Sequence, residues 1–221
     1  MSEKQKSSNR VITLLTIIAA FLMGFIDAYT FMAQNHVFAS AQTGNMVTFA
    51  VKLFSGEWRQ AVRNIIVFFG FALGVFLGEI FLVKFAELRM LKYRLFLYFQ
   101  AVLLLLLAIY QLQLDTRVMG VLLGILSGYE LTMFRKIRDT QVNNGIMTGN
   151  AKNLMNSLYR ILFNKEKKAK SDFLNQLTVI VMFIFGVGIG TLVVQWHATY
   201  SLWFAFYLVC LSIVSMFFVK E

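Results

Sequence analysis

The chain has no proline, one cysteine, two histidines and few charged residues. Only 14% of its 221 residues are charged, whereas 58% are hydrophobic. A soluble domain typically has about 25% charged and about 45–50% apolar residues. A single cysteine excludes a disulfide scaffold, the lack of proline excludes a collagen-like chain, and the apolar content excludes disorder. Together with a mean hydropathy of +0.67, the composition indicates a single integral membrane domain.

The sequence contains no pattern typical of an enzyme, a metal site or a nucleic-acid-binding surface. Gly-x-Ser-x-Gly, His-Glu-x-x-His and paired-aspartate motifs are missing, so we expect no enzymatic activity and no cofactor. His36 and His197 have no other good ligand nearby in the sequence, and Cys210 lies in an apolar run. We therefore expect no metal site and no reactive thiol. The net charge of +10 comes from Lys and Arg between apolar runs, which argues against nucleic acid.

Eight apolar segments follow a polar tail at residues 1–10. The first is too long for the core of a signal peptide and long enough to span a bilayer. The second is interrupted by polar residues, and the sixth is too polar for a lipid-facing helix. The other six are predicted to cross the membrane. The segments are Val11–Ala33, Val37–Phe54, Val62–Val83, Leu95–Leu114, Val118–Phe134, Thr140–Phe163, Phe173–Gln195 and Tyr200–Val219.

The distribution of Lys and Arg favours six crossings over eight. Eight crossings would place the basic residues of 84–94 and of 135–138 on the outside, against the positive-inside rule. If the second and sixth segments instead enter and leave on the same side, only four of the 21 Lys and Arg remain outside. We therefore predict six crossings with both termini in the cytoplasm. The four outside are Lys52, Arg59, Arg63 and Arg117.

The two weak segments carry a repeated motif. Gly24 is followed 19 residues later by Thr43–Asn45, and Gly128 is followed 20 residues later by Thr148–Asn150. Both triplets read Thr-Gly-Asn, which indicates an internal duplication. The predicted halves are residues 11–114 and 117–220 of the single membrane domain. Each has three crossings, an odd number, so the second half is inverted relative to the first.

The predicted fold class is therefore all-α and integral to the membrane. Six transmembrane helices are accompanied by two short re-entrant or broken helical segments, in an inverted-topology internal repeat. The third and seventh segments contain glycines at four-residue spacing, which lets helices approach closely. Helix packing is their predicted role, with pore lining as the alternative. These glycines are Gly70, Gly74, Gly78, Gly186 and Gly190.

The tips of the two re-entrant segments form the predicted binding site. Glycine permits a chain reversal there, and Thr or Asn would cap a short helix, the first running to about Phe54. The positive ends of two such half-helices would face a shared site near the bilayer centre. The alternative is that both motifs simply cap ordinary short helices. The predicted binding residues are Gln42, Thr43, Gly44, Asn45, Thr148, Gly149 and Asn150.

Two acidic residues inside apolar runs extend this site. Asp27 lies well within the first span, and Glu130 has nearly the equivalent place in the second half. A carboxylate in hydrocarbon costs at least ~2.5 kcal/mol, so it normally faces a cavity or a partner. The alternative for Asp27 is a bond to a neighbouring helix end or to Asn45. Glu79 is read as an acid that reaches the interface, and Arg135 as a cytoplasmic anchor.

At these residues the chain resembles the YoaK family of small bacterial six-helix membrane proteins, whose function is not established. The resemblance extends over almost the whole chain from the first span onward. Gly24, Asp27 and Gln42–Asn45 are similar to the first-half pattern, and Gly128, Arg135 and Thr148-Gly149 to the second. Glu130 and Leu131 replace the Gln-Asn pair usual there. The resemblance implies a multi-pass protein of the bacterial cytoplasmic membrane.

Two functions from different classes are compatible with these patterns. The first is a transporter or channel for a small solute, with a site of two half-helix ends and Asp27 that favours an anionic or strongly dipolar group. The second is a membrane-embedded scaffold or regulatory subunit, in which the motifs serve only packing. The expected partners are the lipid bilayer and an unknown small solute, and self-association into a homo-oligomer is left open.

Overall fold

The computed structural model describes residues 3–217 as eight α-helices and one small β-hairpin. A single turn of 3-10 helix, Ala86–Leu88, joins the third helix to the fourth. The elements are α1 (Glu3–Ala33), α2 (Gln42–Phe54), α3 (Trp58–Lys84), α4 (Leu91–Tyr110), α5 (Thr116–Met133), β1 (Lys136–Ile137), β2 (Thr140–Gln141), α6 (Met147–Leu162), α7 (Lys167–His197) and α8 (Tyr200–Phe217).

Five of these helices are long and apolar enough to cross a membrane: α1 over Ser8–Ala33, and all of α3, α4, α7 and α8. This is the make-up of a helical integral membrane protein, as the sequence predicts. The remaining predicted crossing corresponds to α5. That helix has 18 residues, and the charges of Arg117 and Glu130 lower its hydropathy.

The structure differs from the predicted segments at several boundaries. No glycine or proline separates the polar tail from the first span, and α1 accordingly starts at Glu3. The second segment is irregular up to Ala41, and only Gln42–Phe54 is helical. The sixth segment begins with the β-hairpin, which the sequence does not predict. Positions 218 and 219 of the last segment lie outside the described residues.

Hydrogen bonds between elements fix the direction in which the helices run. We call the end of the bundle where α1 begins the proximal end, and the opposite one the distal end. Thr16 of α1 donates to the carbonyl of Lys136, just after α5, at 2.9 Å. Asn35, just after α1, donates to Thr116 at the start of α5, also at 2.9 Å. Helices α1 and α5 are therefore antiparallel.

The main apolar core lies between α1, α4, α5 and α8. Helices α4 and α8 are antiparallel, because Arg94 donates to the carbonyl of Met216 and Gln111 to that of Thr199. At the end of α6, Arg160 donates a hydrogen bond to Glu166, which holds the pKa of that carboxyl below its usual range. This bond ties the end of α6 to the start of α7.

Two close helix crossings flank this core, and glycine is what permits them. A Cβ atom added at Gly186 of α7 would lie 2.0 Å from the Phe21 carbonyl oxygen of α1. A Cβ atom added at Gly74 of α3 would likewise lie 2.0 Å from the Ile125 carbonyl oxygen of α5. Gly70 and Gly78 lie on the α3–α5 crossing, and Gly190 on the α1–α7 crossing. Small residues let backbones meet in this way within a membrane.

We expect Gly186→Val to destabilise the protein severely, because the side chain would overlap the α1 backbone. Overpacking typically costs about 1–3 kcal/mol, and we expect at least the upper value here because backbone must move. Gly188→Val is the matched control, since nothing lies within 4 Å of a Cβ atom at Gly188. The measurement is thermal unfolding in detergent. Equal unfolding midpoints for the two variants would contradict the close crossing.

Candidate functional site

A loop formed by residues 34–41 folds back from the end of α1 into the bundle. The backbone N–H of Ser40 donates to Asp27 Oδ1 at 2.7 Å, and the Ser40 hydroxyl donates to Asp27 Oδ2 at 2.6 Å. Asp27 is only 3% exposed. It precedes the end of α1 by six residues, or about 9 Å of helix axis. The loop therefore penetrates the bundle from the distal end.

A second loop, residues 142–146, folds into the bundle after the β-hairpin. Asn144 Nδ2 donates to the backbone carbonyl of Glu130 at 3.4 Å. A Cβ atom added at Gly145 would lie 3.8 Å from Met23 Cγ. Since Met23 lies in the middle third of the Ser8–Ala33 span, this loop reaches the middle of the molecule from the proximal end.

The two loops meet where Ser40 touches Gly145. The Ser40 hydroxyl lies 3.4 Å from the Gly145 carbonyl oxygen. A Cβ atom added at Gly145 would lie 2.8 Å from Ser40 Cβ, so only glycine fits there. We call the group of Met23, Asp27, Ser40 and Gly145 the loop junction. It combines irregular backbone with a buried carboxylate.

The asparagines of the two Thr-Gly-Asn motifs hold these loops in the same way. Asn45 Oδ1 accepts from the backbone N–H of Phe38 at 2.9 Å, and Asn45 Nδ2 donates to the Phe38 carbonyl at 2.6 Å. Asn150 Oδ1 accepts from the N–H of Asn143 at 2.9 Å, and Asn150 Nδ2 donates to the Asn143 carbonyl. Each carboxamide thus satisfies both backbone groups of the residue seven positions earlier.

The predicted capping role of these motifs is wrong. Helix α2 begins at Gln42 and α6 at Met147, and neither has a side-chain cap. Both asparagines therefore lie one turn inside their helices, from where the carboxamide reaches back to the loop. The predicted end of the first half-helix at Phe54 agrees with α2.

The remaining motif residues have different surroundings. Thr43 and Thr148 are exposed side chains, outside the loop junction. Gln42 donates to the Ala39 carbonyl at 2.8 Å and accepts from Asn45 at 2.8 Å. A Cβ atom at Gly44 would lie 2.9 Å from the Phe38 ring, and one at Gly149 would lie 3.1 Å from Asn143 Nδ2.

The acidic residues do not share a partner. Glu130 is buried on α5, where its carboxylate accepts from Gln100 of α4 at 2.6 Å. Glu79 lies at the proximal end, where Arg135 donates to it at 2.7 Å. Of these acids, only Asp27 is part of the loop junction. Glu130 contacts the second loop through its backbone carbonyl, which accepts from Asn144.

Sequence reasoning missed Ser40 and Gly145, although a signal for them exists. Each lies five residues before the asparagine of its Thr-Gly-Asn motif. Extending the motif comparison backwards would have paired these two positions. The hydrogen bond of Glu130 with Gln100, by contrast, joins helices whose relative rotation no spacing in the sequence reveals.

We expect Asn150→Ala to destabilise the second loop, because it leaves the N–H and carbonyl of Asn143 unpaired. Each unpaired buried group costs about 1–3 kcal/mol. Asn153→Ala is the matched control, since Asn153 is exposed on the same helix. The readout is the thermal unfolding midpoint, or protease sensitivity, of the purified variants. A loss in Asn153→Ala equal to that in Asn150→Ala would contradict the role assigned to Asn150.

Comparison with known proteins places most of the chain in a family. Residues 15–215 match the family model described as "Protein of unknown function (DUF1275)". No curated protein and no solved structure matches the chain. Because this match extends over most of the chain, including both Thr-Gly-Asn motifs, the chain belongs to the DUF1275 family.

Proposed function

We propose that the protein is a transporter or channel that moves a small polar solute through the loop junction. The observation that carries this proposal is the buried Asp27 carboxylate bonded to Ser40, where two irregular loops meet between long apolar helices. Irregular backbone and acids at membrane depth usually serve a cavity or pathway. Parting of the contact between Ser40 and Gly145 would open the site.

The contacts of the bundle support six crossings and an inverted repeat. Helix α5, the counterpart of α1 in the second half, is antiparallel to α1. Gly24 of α1 packs on Phe183 of α7, and Gly128 of α5 packs on Phe71 of α3, at corresponding motif positions. Loops 34–41 and 142–146 are then re-entrant from opposite sides. If all eight segments crossed the membrane, α1 and α5 would be parallel.

The basic residues support a cytoplasmic location for the proximal end. This end carries Arg94, next to the end of α8, and Arg135, next to the end of α3. At the distal end, Lys52 is hydrogen-bonded to Asn64 near the start of α3. Given the positive-inside rule and the resemblance to the YoaK family, we propose a bacterial cytoplasmic membrane with both termini inside.

Cysteine labelling tests this topology. In a Cys210→Ser background, we expect Glu57→Cys to react with an impermeant thiol reagent added to intact cells. Glu87→Cys should not react until the cells are opened. Both side chains are exposed, so access depends on which side of the membrane they occupy. Labelling of position 87 but not of position 57 would contradict the proposed orientation with both termini inside.

The chemistry of the junction favours a strongly dipolar solute. Helices α2 and α6 begin two residues after Ser40 and Gly145, and helix N-termini attract negative groups. Asp27 supplies negative charge for a positive group of the same solute. Zwitterionic amino acids are therefore suitable probes, with glucose and inorganic phosphate as comparators.

We expect Asp27→Asn to reduce the flux of a transported probe into proteoliposomes by about tenfold or more, since it removes a charge-assisted partner. Asp115→Asn is the matched control. Asp115 accepts from the N–H of Arg117 at the start of α5, outside the loop junction, and asparagine caps a helix equally well. Unchanged flux in correctly assembled Asp27→Asn protein would contradict a pathway at the junction.

Flux measured with the wild-type protein distinguishes transport from a scaffold role. In a transporter, proteoliposomes that contain the protein should accumulate a probe that protein-free liposomes exclude. A scaffold would show no probe flux, and it would be purified from native membranes with a stoichiometric partner.

A further inference from the structure

A cavity of about 740 Å³ lies at the proximal end, away from the loop junction. It is bounded by the start of α1, the end of α3, the start of α4 and the β-hairpin. Four cationic side chains line it, with a single carboxylate, that of Glu79. The cations are Lys92, Arg135, Lys136 and Arg138.

Among the described residues, the positive charge in this cavity is not balanced. Within the described residues, Arg135 is paired with Glu79 at 2.7 Å, and no ion pair is found for the other three cations. Lys92 Nζ lies 5.5 Å from the centre of the Tyr93 ring. A concave site with three uncompensated positive charges attracts an anion.

The hairpin presents its two cations on a firmly held backbone. The Lys136 carbonyl accepts from Thr16 at 2.9 Å, and the Arg138 N–H donates to Thr13 at 3.0 Å, both on α1. Between them, Ile137 is 2% exposed. Asn175 of α7 donates to Thr140 of the second strand at 2.8 Å. Little ordering of the backbone is therefore needed when a ligand binds, which favours affinity.

The walls of the cavity are apolar on the side of α3. Leu82 and Val83 line it, and Val83 is 76% exposed on the outer face of the bundle. A basic pocket that opens beside apolar helix faces at a membrane boundary matches the headgroup and first acyl carbons of an anionic lipid.

We propose that this cavity binds an anionic phosphate group, as carried by a phospholipid headgroup or by a soluble phosphorylated solute. Arg138 and Lys136 contact the phosphate from the hairpin, and Lys92 contacts it from α4. A guanidinium and two ammonium groups suit the several acceptor oxygens of a phosphate. The proposal does not depend on transport through the loop junction.

The test compares phosphatidylglycerol with phosphatidylcholine of the same acyl chains, bound to purified protein and measured by native mass spectrometry. We expect wild-type protein to bind phosphatidylglycerol more tightly than phosphatidylcholine. Arg138→Asn should weaken this binding about fivefold, the effect of one cation near a membrane surface. Asparagine tolerates the left-handed backbone of Arg138, φ 53°, so the hairpin should persist.

Arg89→Asn is the matched control. Arg89 is also exposed, adopts a positive φ of 34° and follows the 3-10 turn after α3, but it does not line the cavity. Its replacement should leave binding unchanged. Lys136→Gln serves as a second variant, since its side chain lines the cavity while its backbone makes the bond to Thr16. Lys136→Gln should also weaken phosphatidylglycerol binding about fivefold.

Glycerol 3-phosphate identifies the source of the phosphate. If it binds wild-type protein alone and displaces phosphatidylglycerol, the site accepts soluble phosphates. If phosphatidylglycerol binding resists it, the site requires the acyl chains and is a lipid site. Equal binding of both lipids, or equal losses in Arg138→Asn and Arg89→Asn, would overturn the proposal, because only diffuse surface charge would then be involved.

Discussion

Backbone that enters the interior of a membrane protein must find its hydrogen-bond partners within the protein. Loops 34–41 and 142–146 enter the bundle without the regular backbone hydrogen bonds of a helix. Side chains around these loops supply the missing partners of the backbone groups. Asn45 and Asn150 each supply a donor and an acceptor to one loop residue, and Asp27 accepts from Ser40. A carboxamide carries its donor and its acceptor on separate atoms, so one side chain can bond a backbone N–H and a backbone carbonyl at the same time. This explains why asparagine occurs at the same place in both motifs.

The apolar helices could be predicted from the sequence, because the bilayer sets their length and hydropathy. The sequence was also sufficient to single out Asp27, Asn45 and Asn150, since polar residues are conspicuous in apolar runs. Their partners could not be predicted. The bond between Glu130 and Gln100 depends on helix rotation, and Ser40 is an ordinary residue in an irregular segment. The β-hairpin escaped prediction because two-residue strands carry no periodic pattern.

The basic residues of the proximal end have two physical consequences. Lys and Arg in a short connection fix the orientation of the neighbouring helices, and this requires only charge on one side of the membrane. Here the hairpin also holds Lys136 and Arg138 rigidly beside Lys92. Orientation alone does not require that rigidity. A binding site requires that the cations converge on one cavity, whereas residues that only orient helices can point in any direction.

The close helix crossings group four of the long helices into two pairs. Helix α1 packs closely on α7, and α5 on α3, so each crossing joins elements from opposite halves of the sequence. Glycine permits close backbone contact within each pair, whereas α1 and α5 make few contacts with each other. In the transporter that we propose, the α1–α7 pair and the α3–α5 pair are the units that would move, and not the two sequence halves. Loop 34–41 begins on α1 and ends in α2, which packs on α3. Loop 34–41, which carries Ser40, therefore connects the two pairs.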